Sequence, residues 1–163
     1  MPLKSNEEQY WQIYLENLQP SESPETPFVT AGYAGGPEIT DELLRLYLEG
    51  TKTAGSSLLE DLLTANDPVP QVGNYWICLA SDGEPRCILR TTRIEIHKFK
   101  DIPDEIAIAE GEGDSSVAYW KRVHAELYAP HLKAWGLSQI DEATVITEFF
   151  QIVSVKLDEA DRR

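Results

Sequence analysis

Three carboxylates stand at alternate positions in the run Ala109-Glu110-Gly111-Glu112-Gly113-Asp114-Ser115-Ser116, separated by glycines that let the backbone bend. Acids gathered this closely repel one another, so a loop that brings them together needs a cation, a lysine or a proton to share. The plainer reading is a turn whose acids face water. Upstream, Gly50-Thr51-Lys52-Thr53-Ala54-Gly55-Ser56-Ser57 sets one lysine among hydroxyls, and Lys52 is the only lysine between Lys4 and Lys98. Amide hydrolysis needs a nucleophile, a group to take its proton and a donor for the leaving amine. A desolvated Lys52 would serve as base, whereas a Lys52 paired with Glu112 would serve as an electrostatic clamp. The hydroxyls of Thr53, Ser56 and Ser57 are the candidate nucleophiles.

Tyr119 is the better candidate for stacking a base, because Trp120 falls on an apolar helix stripe and reads as core. Asp114, Ser115 and Arg90 complete the substrate-binding candidates. His97, His124 and His131 lack metal-ligand spacing, and His124, one turn after Trp120, reads as a satisfied, partly buried histidine. Glu110, Glu112 and Asp114 offer an alternative site for Mg²⁺ or Mn²⁺ in phosphodiester cleavage. The leading reading requires no metal and no cofactor.

Charge narrows the partners. Lys and Arg number 14 against 28 Asp and Glu, a net charge of -14. Between residues 28 and 156 the count is 11 against 20, so the excess of acid belongs to the body of the chain. Such a field repels a phosphate backbone at long range and disfavours long duplex nucleic acid. Arg86, Arg90, Arg93, Lys98 and Lys100 form one local basic run, enough for a short RNA end or a single nucleotide. Apolar content of 42% with 26% charged residues fits an ordinary globular domain. No apolar run is long enough to span a bilayer and no basic-then-apolar segment opens the chain, so no membrane partner and a cytoplasmic location are expected. Cys78 and Cys87 flank a hairpin turn without Cys-x-x-Cys spacing and are expected to be reduced and half-buried.

The elements that must position these groups follow from periodicity. Ser5-Asn6-Glu7-Glu8 reads as a capping box opening a helix with Tyr10, Trp11, Tyr14, Leu15 and Leu18. Residues 20–27 read as an extended linker. Thr40 is expected to cap a helix with Leu43, Leu44, Tyr47 and Leu48 on one stripe, closed by Gly50. A short helix over 58–63 ends at Asn66-Asp67-Pro68, and strands over 75–80 and 85–96 flank a hairpin at Ser81-Asp82-Gly83-Glu84. One helical turn is expected over 104–109. A helix is then expected to open at Asp114 or Ser115 and stop near Tyr128 before Pro130, followed by a short helical restart, a central strand over 143–155 and a fraying tail from 158 to 163.

Gly50-Thr51-Lys52-Thr53, the strand opening Gln71-Val72-Gly73-Asn74, the Ala109-to-Asp114 loop and the helix with Tyr119-Trp120 occur in an order that resembles the ASCH domain family, relatives of PUA RNA-binding domains. The resemblance runs from about Phe28 to Val155. It implies a mixed α/β (α+β) fold: a PUA-like partly closed β-barrel with flanking helices and an N-terminal helical arm. It divides the chain into helix and linker (1–27), ASCH domain (28–156) and polar tail (157–163). In small ASCH amidohydrolases that cleave acylated cytidine, a lysine, a threonine and a glutamate are catalytic. Lys52 matches the lysine and Glu112 the glutamate, but the threonine position is Gly55. Adjacent side chains of an extended segment point to opposite faces, so Ser56 would need a local kink to replace it. The expected pocket lies between the Lys52 segment and the Glu112 loop and accepts a nucleoside, nucleotide or RNA end. Three functions compete: hydrolysis of an acylated cytidine, ribonuclease action on single-stranded RNA, and non-catalytic RNA binding.

Overall fold

Two long strands, β4 (Pro85–Lys98) and β5 (Thr144–Val155), run at the middle of one five-stranded sheet of order β1-β3-β4-β5-β2. The computed structural model describes residues 2–24 and 27–157. In chain order the other elements are α1 (Ser5–Glu16), β1 (Val29–Tyr33), α2 (Thr40–Glu49), β2 (Ala54–Leu58), α3 (Leu59–Ala65), β3 (Tyr75–Leu79), α4 (Asp104–Glu110) and α5 (Val117–Tyr128). The chain divides into two units: residues 1–49, 73–91 and 151–163 form the first, and residues 50–72 and 92–150 the second. Among the described residues no helix is long and apolar enough to cross a membrane.

In the first unit β1 runs parallel to β3, Val29 opposite Tyr75, and β3 forms a hairpin with β4, Ile77 opposite Ile88. Gly83 supplies the positive φ of +86° that the hairpin turn demands. Tyr10 and Trp11 of α1 are buried against Tyr75, Ile77, Leu79 and Ile88. The Trp11 and Tyr75 rings meet edge to face at 5.1 Å, and the Tyr10 hydroxyl lies 2.7 Å from Ser154 Oγ. Glu7 closes the start of α1 by accepting from the Lys4 N–H at 2.9 Å, so the cap precedes the expected Ser5. Thr40 also differs from expectation. It is the first residue of α2, its Oγ1 is buried without a hydrogen bond, and the Leu43 N–H bonds to the Ile39 carbonyl instead. Cys78 and Cys87 are free, as expected, but wholly rather than half buried, because they face each other across the hairpin.

The second unit is built on β2 paired antiparallel with β5, in regular register from Ala54 opposite Phe149 to Leu58 opposite Val145. One face of this pair carries Ala54, Leu58, Val145 and Phe149 into a core with Ile106 and Ala107 of α4 and Trp120 of α5. Asn66 ends α3 in the left-handed region, which asparagine tolerates, at the expected stop. α5 stops at Tyr128 and a short 3₁₀ turn over Ala129–His131 carries Pro130, also as expected. Strands β1 and β2 were absent from the periodic reading. Of the linker, residues 25 and 26 lie outside the described residues, as does the whole 158–163 tail.

Glu148 sits on the other face of the β2–β5 pair, directly opposite Gly55. Burial raises its carboxyl to about 7. An acid whose folded pKa exceeds its unfolded value keeps its proton longer in the native state. Stability is therefore greatest below the unfolded pKa and declines as pH rises through about 7. Glu148→Gln should leave stability unchanged near pH ~4 and raise it by about 2 kcal/mol near pH ~8. Urea unfolding at both pH values checks this, and an equal effect at both would refute it.

Candidate functional site

Glu110 is the last residue of α4, and helical spacing puts it on the same face as Ile106 and Ala107, both in the core. Its side chain is therefore drawn inside: the residue is 2% exposed. A buried carboxylate is tolerated only with donors around it, and three elements supply them. Lys52, itself 4% exposed, donates from Nζ to Glu110 Oε1 at 3.3 Å. Ser56 of β2 donates from Oγ to Oε2 at 3.0 Å. The Trp120 indole N–H of α5 donates to the same Oε2. Lys52 Nζ also reaches the Glu110 carbonyl at 3.4 Å and Glu112 Oε2 at 3.0 Å. Glu112 is the more accessible acid, its side chain 25% exposed. Thr147 of β5 lies 2.7 Å from Ser56 Oγ. With the Ser56 proton directed to Glu110, that hydroxyl accepts from Thr147, giving a relay from Thr147 through Ser56 to Glu110.

The two glycines of the loop make this geometry attainable. Gly111 ends α4 with φ +62°, and a Cβ there would lie 2.2 Å from the Thr51 carbonyl oxygen. The backbone of the loop thus lies directly on the segment that presents Lys52. Gly113, with φ +58°, leaves room for the Tyr119 ring, whose Cζ would be 2.4 Å from a Cβ. The helix start falls later than expected. Ser115 takes φ +61°, and Ser116 caps α5 by accepting from the Tyr119 N–H at 3.0 Å. Asp114 is exposed, and its carboxyl is held below the usual range first by the Ser116 hydroxyl and then by the Ser116 N–H, from which it accepts at 3.0 Å.

Beside this network a small pocket, with about 10 Å³ of enclosed space, is lined among others by Glu110, Glu112, Ser116, Tyr119, Trp120 and His124. Lys52 and Ser56 lie outside its lining. Burial pushes the Tyr128 phenol well up, helped by the negative charge of Glu110, Asp61 and Glu112. Among the described residues no group of three or more His, Cys, Asp and Glu is placed to hold a metal ion. The three acids of the loop do not converge: Glu110 and Glu112 share the lysine, while Asp114 serves the Ser116 backbone.

Of the residues singled out in the sequence, Lys52, Glu112 and Ser56 come together, and Tyr119 lines the pocket. Ser56 is not kinked and does not take the place of residue 55. It enters from regular strand register because its target is the buried Glu110. Thr53 is not brought in, since its hydroxyl and its N–H both bond the Ala109 carbonyl, at 3.3 and 2.7 Å. Arg90 belongs to the first unit, exposed, with its guanidinium 6.0 Å from the Tyr75 ring centroid. The sequence reading names Glu110 only as one of three acids for a metal, not as the partner of Lys52 and Ser56, and it does not name Thr147. The available signal was the Ile106, Ala107, Glu110 spacing, which places an acid on an apolar helix face. No comparable signal marked Thr147.

The sequence matches the ASCH domain family over residues 31–154. The chain belongs to the ASCH domain family. Its structure is similar to that of an ASCH domain from Lactobacillus crispatus JV V101, with a TM-score of 0.85 and 23% identity over 94% of this chain and 97% of that one. It is also similar to a protein from Enterococcus faecalis V583, with a TM-score of 0.76 and 28% identity over 92% and 89%. The mixed α/β, PUA-like fold expected from the sequence is thus the fold this chain shares with a solved ASCH domain. Curated proteins offer no match to the sequence.

Gly111→Ala should cost roughly 3 kcal/mol or more, because the new methyl meets main chain and the backbone is left-handed. Gly113→Ala should cost about 1 kcal/mol, because the Tyr119 ring can swing away. Thermal unfolding of the two variants side by side checks the ranking, and equal losses would count against the close approach at Thr51.

Proposed function

We propose that this ASCH domain binds a nucleoside, nucleotide or RNA end beside the Lys52, Glu110 and Glu112 network and hydrolyses the amide of an acylated cytidine, with Ser56 as nucleophile. The observation that carries this reading is the 3.0 Å hydrogen bond from Ser56 Oγ to Glu110, a carboxylate held by Lys52. A hydroxyl becomes a nucleophile when a base lies within hydrogen-bond reach. Ser56 Oγ would bond to the acyl carbon as its proton passes to Glu110 Oε2. On collapse the C–N bond breaks and the amine nitrogen takes that proton. Water then cleaves the acyl ester, losing a proton to Glu110 and returning one to Ser56. Lys52, with acceptors on Glu110 and Glu112, acts as the clamp and not the base.

A compact, uncharged ligand suits the electrostatics. In the second unit Arg93 bridges Glu95 and Glu105, and Lys100 faces Glu142 at 3.8 Å. Lys98 is spent on the Glu142 carbonyl at 3.1 Å and Lys121 on the Lys100 carbonyl at 2.8 Å. Cations engaged in this way offer little to a run of phosphates, which supports the nucleoside over ribonuclease action on long single strands. A second reading, a non-catalytic binding module, is favoured by one observation: Ser56 does not line the pocket, so a ligand seated against Tyr119 meets carboxylates before it meets a hydroxyl.

Turnover of acylated cytidines and short single-stranded RNAs, followed by mass spectrometry with and without EDTA, separates these readings. Cytidine release should ignore EDTA and drop about 10²-fold or more in Ser56→Ala, Lys52→Ala and Glu110→Gln. Undiminished release from Ser56→Ala would sink the nucleophile assignment. Binding without turnover, insensitive to salt, would favour the module, and steeply salt-dependent binding would restore the phosphate-bearing ligand.

A further inference from the structure

We propose that His124 is the residue of this pocket that selects ligands carrying an N–H donor, such as a primary amide or an amine on a base edge. The inference rests on the reading of the pocket beside Tyr119 as the ligand site. His124 Nδ1 lies 2.7 Å from the Trp120 carbonyl oxygen, one turn earlier on α5. A carbonyl only accepts, so Nδ1 carries a proton, and in the singly protonated ring Nε2 is the acceptor. The ring cannot turn freely. It stacks on the Trp120 indole with centroids 4.0 Å apart and planes 19° from parallel, and Tyr128 packs at 5.9 Å on the same helix. The indole is in turn tied to the buried Glu110. The orientation of His124 is thus inherited from the Lys52–Glu110 pair through one hydrogen bond and one stacked ring.

The other polar groups of the pocket are largely committed. Glu110 is shared among Lys52, Ser56 and Trp120. Ser116 Oγ is occupied as an acceptor by the Tyr119 N–H. Among the described residues this leaves His124 Nε2, the Glu112 carboxylate oxygen that does not face Lys52 and the Tyr119 hydroxyl, of which the first two only accept. Two acceptors at one pocket complement a donor, and an acceptor-bearing ligand would leave both unpaired. The enclosed space is small, about 10 Å³, so it takes the N–H edge of a ligand and not a whole molecule. A satisfied histidine, as read from the sequence, therefore describes one ring nitrogen and not the other.

Ring-nitrogen NMR on ¹⁵N-labelled full-length protein tests this with two probes, acetamide and N,N-dimethylacetamide, which differ in the N–H donor. The free protein should show His124 protonated at Nδ1. Acetamide should shift Nε2 saturably, and dimethylacetamide should leave it in place. His124→Phe, which keeps a ring to stack on Trp120, should weaken acetamide binding about tenfold, read at Tyr119, while His124→Gln restores an acceptor and most of the affinity. A proton on Nε2 in the free protein, or no difference between the two probes, would overturn the proposal. An acetamide response with no effect of acylated cytidine would leave His124 as assigned and defeat the nucleoside hydrolase. Turnover of acylated cytidine unaffected by His124→Phe would do the reverse.

Discussion

A carboxylate buried at the end of α4 organises the second unit. A carboxyl group at this depth needs hydrogen-bond donors, and those around Glu110 come from three places in the sequence: Lys52 before β2, Ser56 in β2 and Trp120 in α5. Each is held there by something else. Lys52 is placed by the contact of the Gly111 backbone with Thr51, Ser56 by its register opposite Thr147, and Trp120 by packing on Phe99 with ring centroids at 5.3 Å. Removing one partner would leave a buried charge or a buried donor uncompensated, which costs far more than the pair itself contributes. The acid therefore acts as a registration device as well as a chemical group.

The same arrangement sets the character of the pocket. Lys52 lies behind the carboxylates, outside the pocket lining, so the face offered to a ligand is rich in acceptors and bordered by the rings of Tyr119, Trp120 and His124. Elsewhere in this unit Arg93, Lys98 and Lys100 are turned onto acids and carbonyls, and the Arg122 guanidinium lies over the Tyr119 ring at 5.4 Å. A chain with net charge -14 thus has little free positive charge in this unit to hold a polyanion. An uncharged ligand loses nothing to that field.

Several elements could be read ahead of the structure because their signals are local. Gly50 after the stripe of α2, Asn66 at the end of α3, Pro130 beyond α5 and the Ser81-Asp82-Gly83-Glu84 hairpin each rest on the dihedral limits of one or two residues. β1 and β2 escaped because Val29–Tyr33 and Ala54–Leu58 contain glycine, alanine and serine and become strands through pairing with β3 and β5. The late start of α5 escaped for a similar reason. Asp114, Ser115 and Ser116 are all good caps, and only the crowding of Tyr119 over Gly113 accompanies the choice of Ser116.

The family, its fold and the excess of acid were written in residue types and the order of the motifs, while the meeting of Lys52 with Glu112 was one of two roles that the sequence left open. Tertiary structure decided which acid is buried and which hydroxyl faces it. Those outcomes depend on strand register and helix rotation, where one residue of shift turns a side chain from one face to the other. Ser56 meets Glu110, Glu148 faces Gly55 and Arg90 falls in the other unit for that reason: each direction is set by a neighbour distant in sequence.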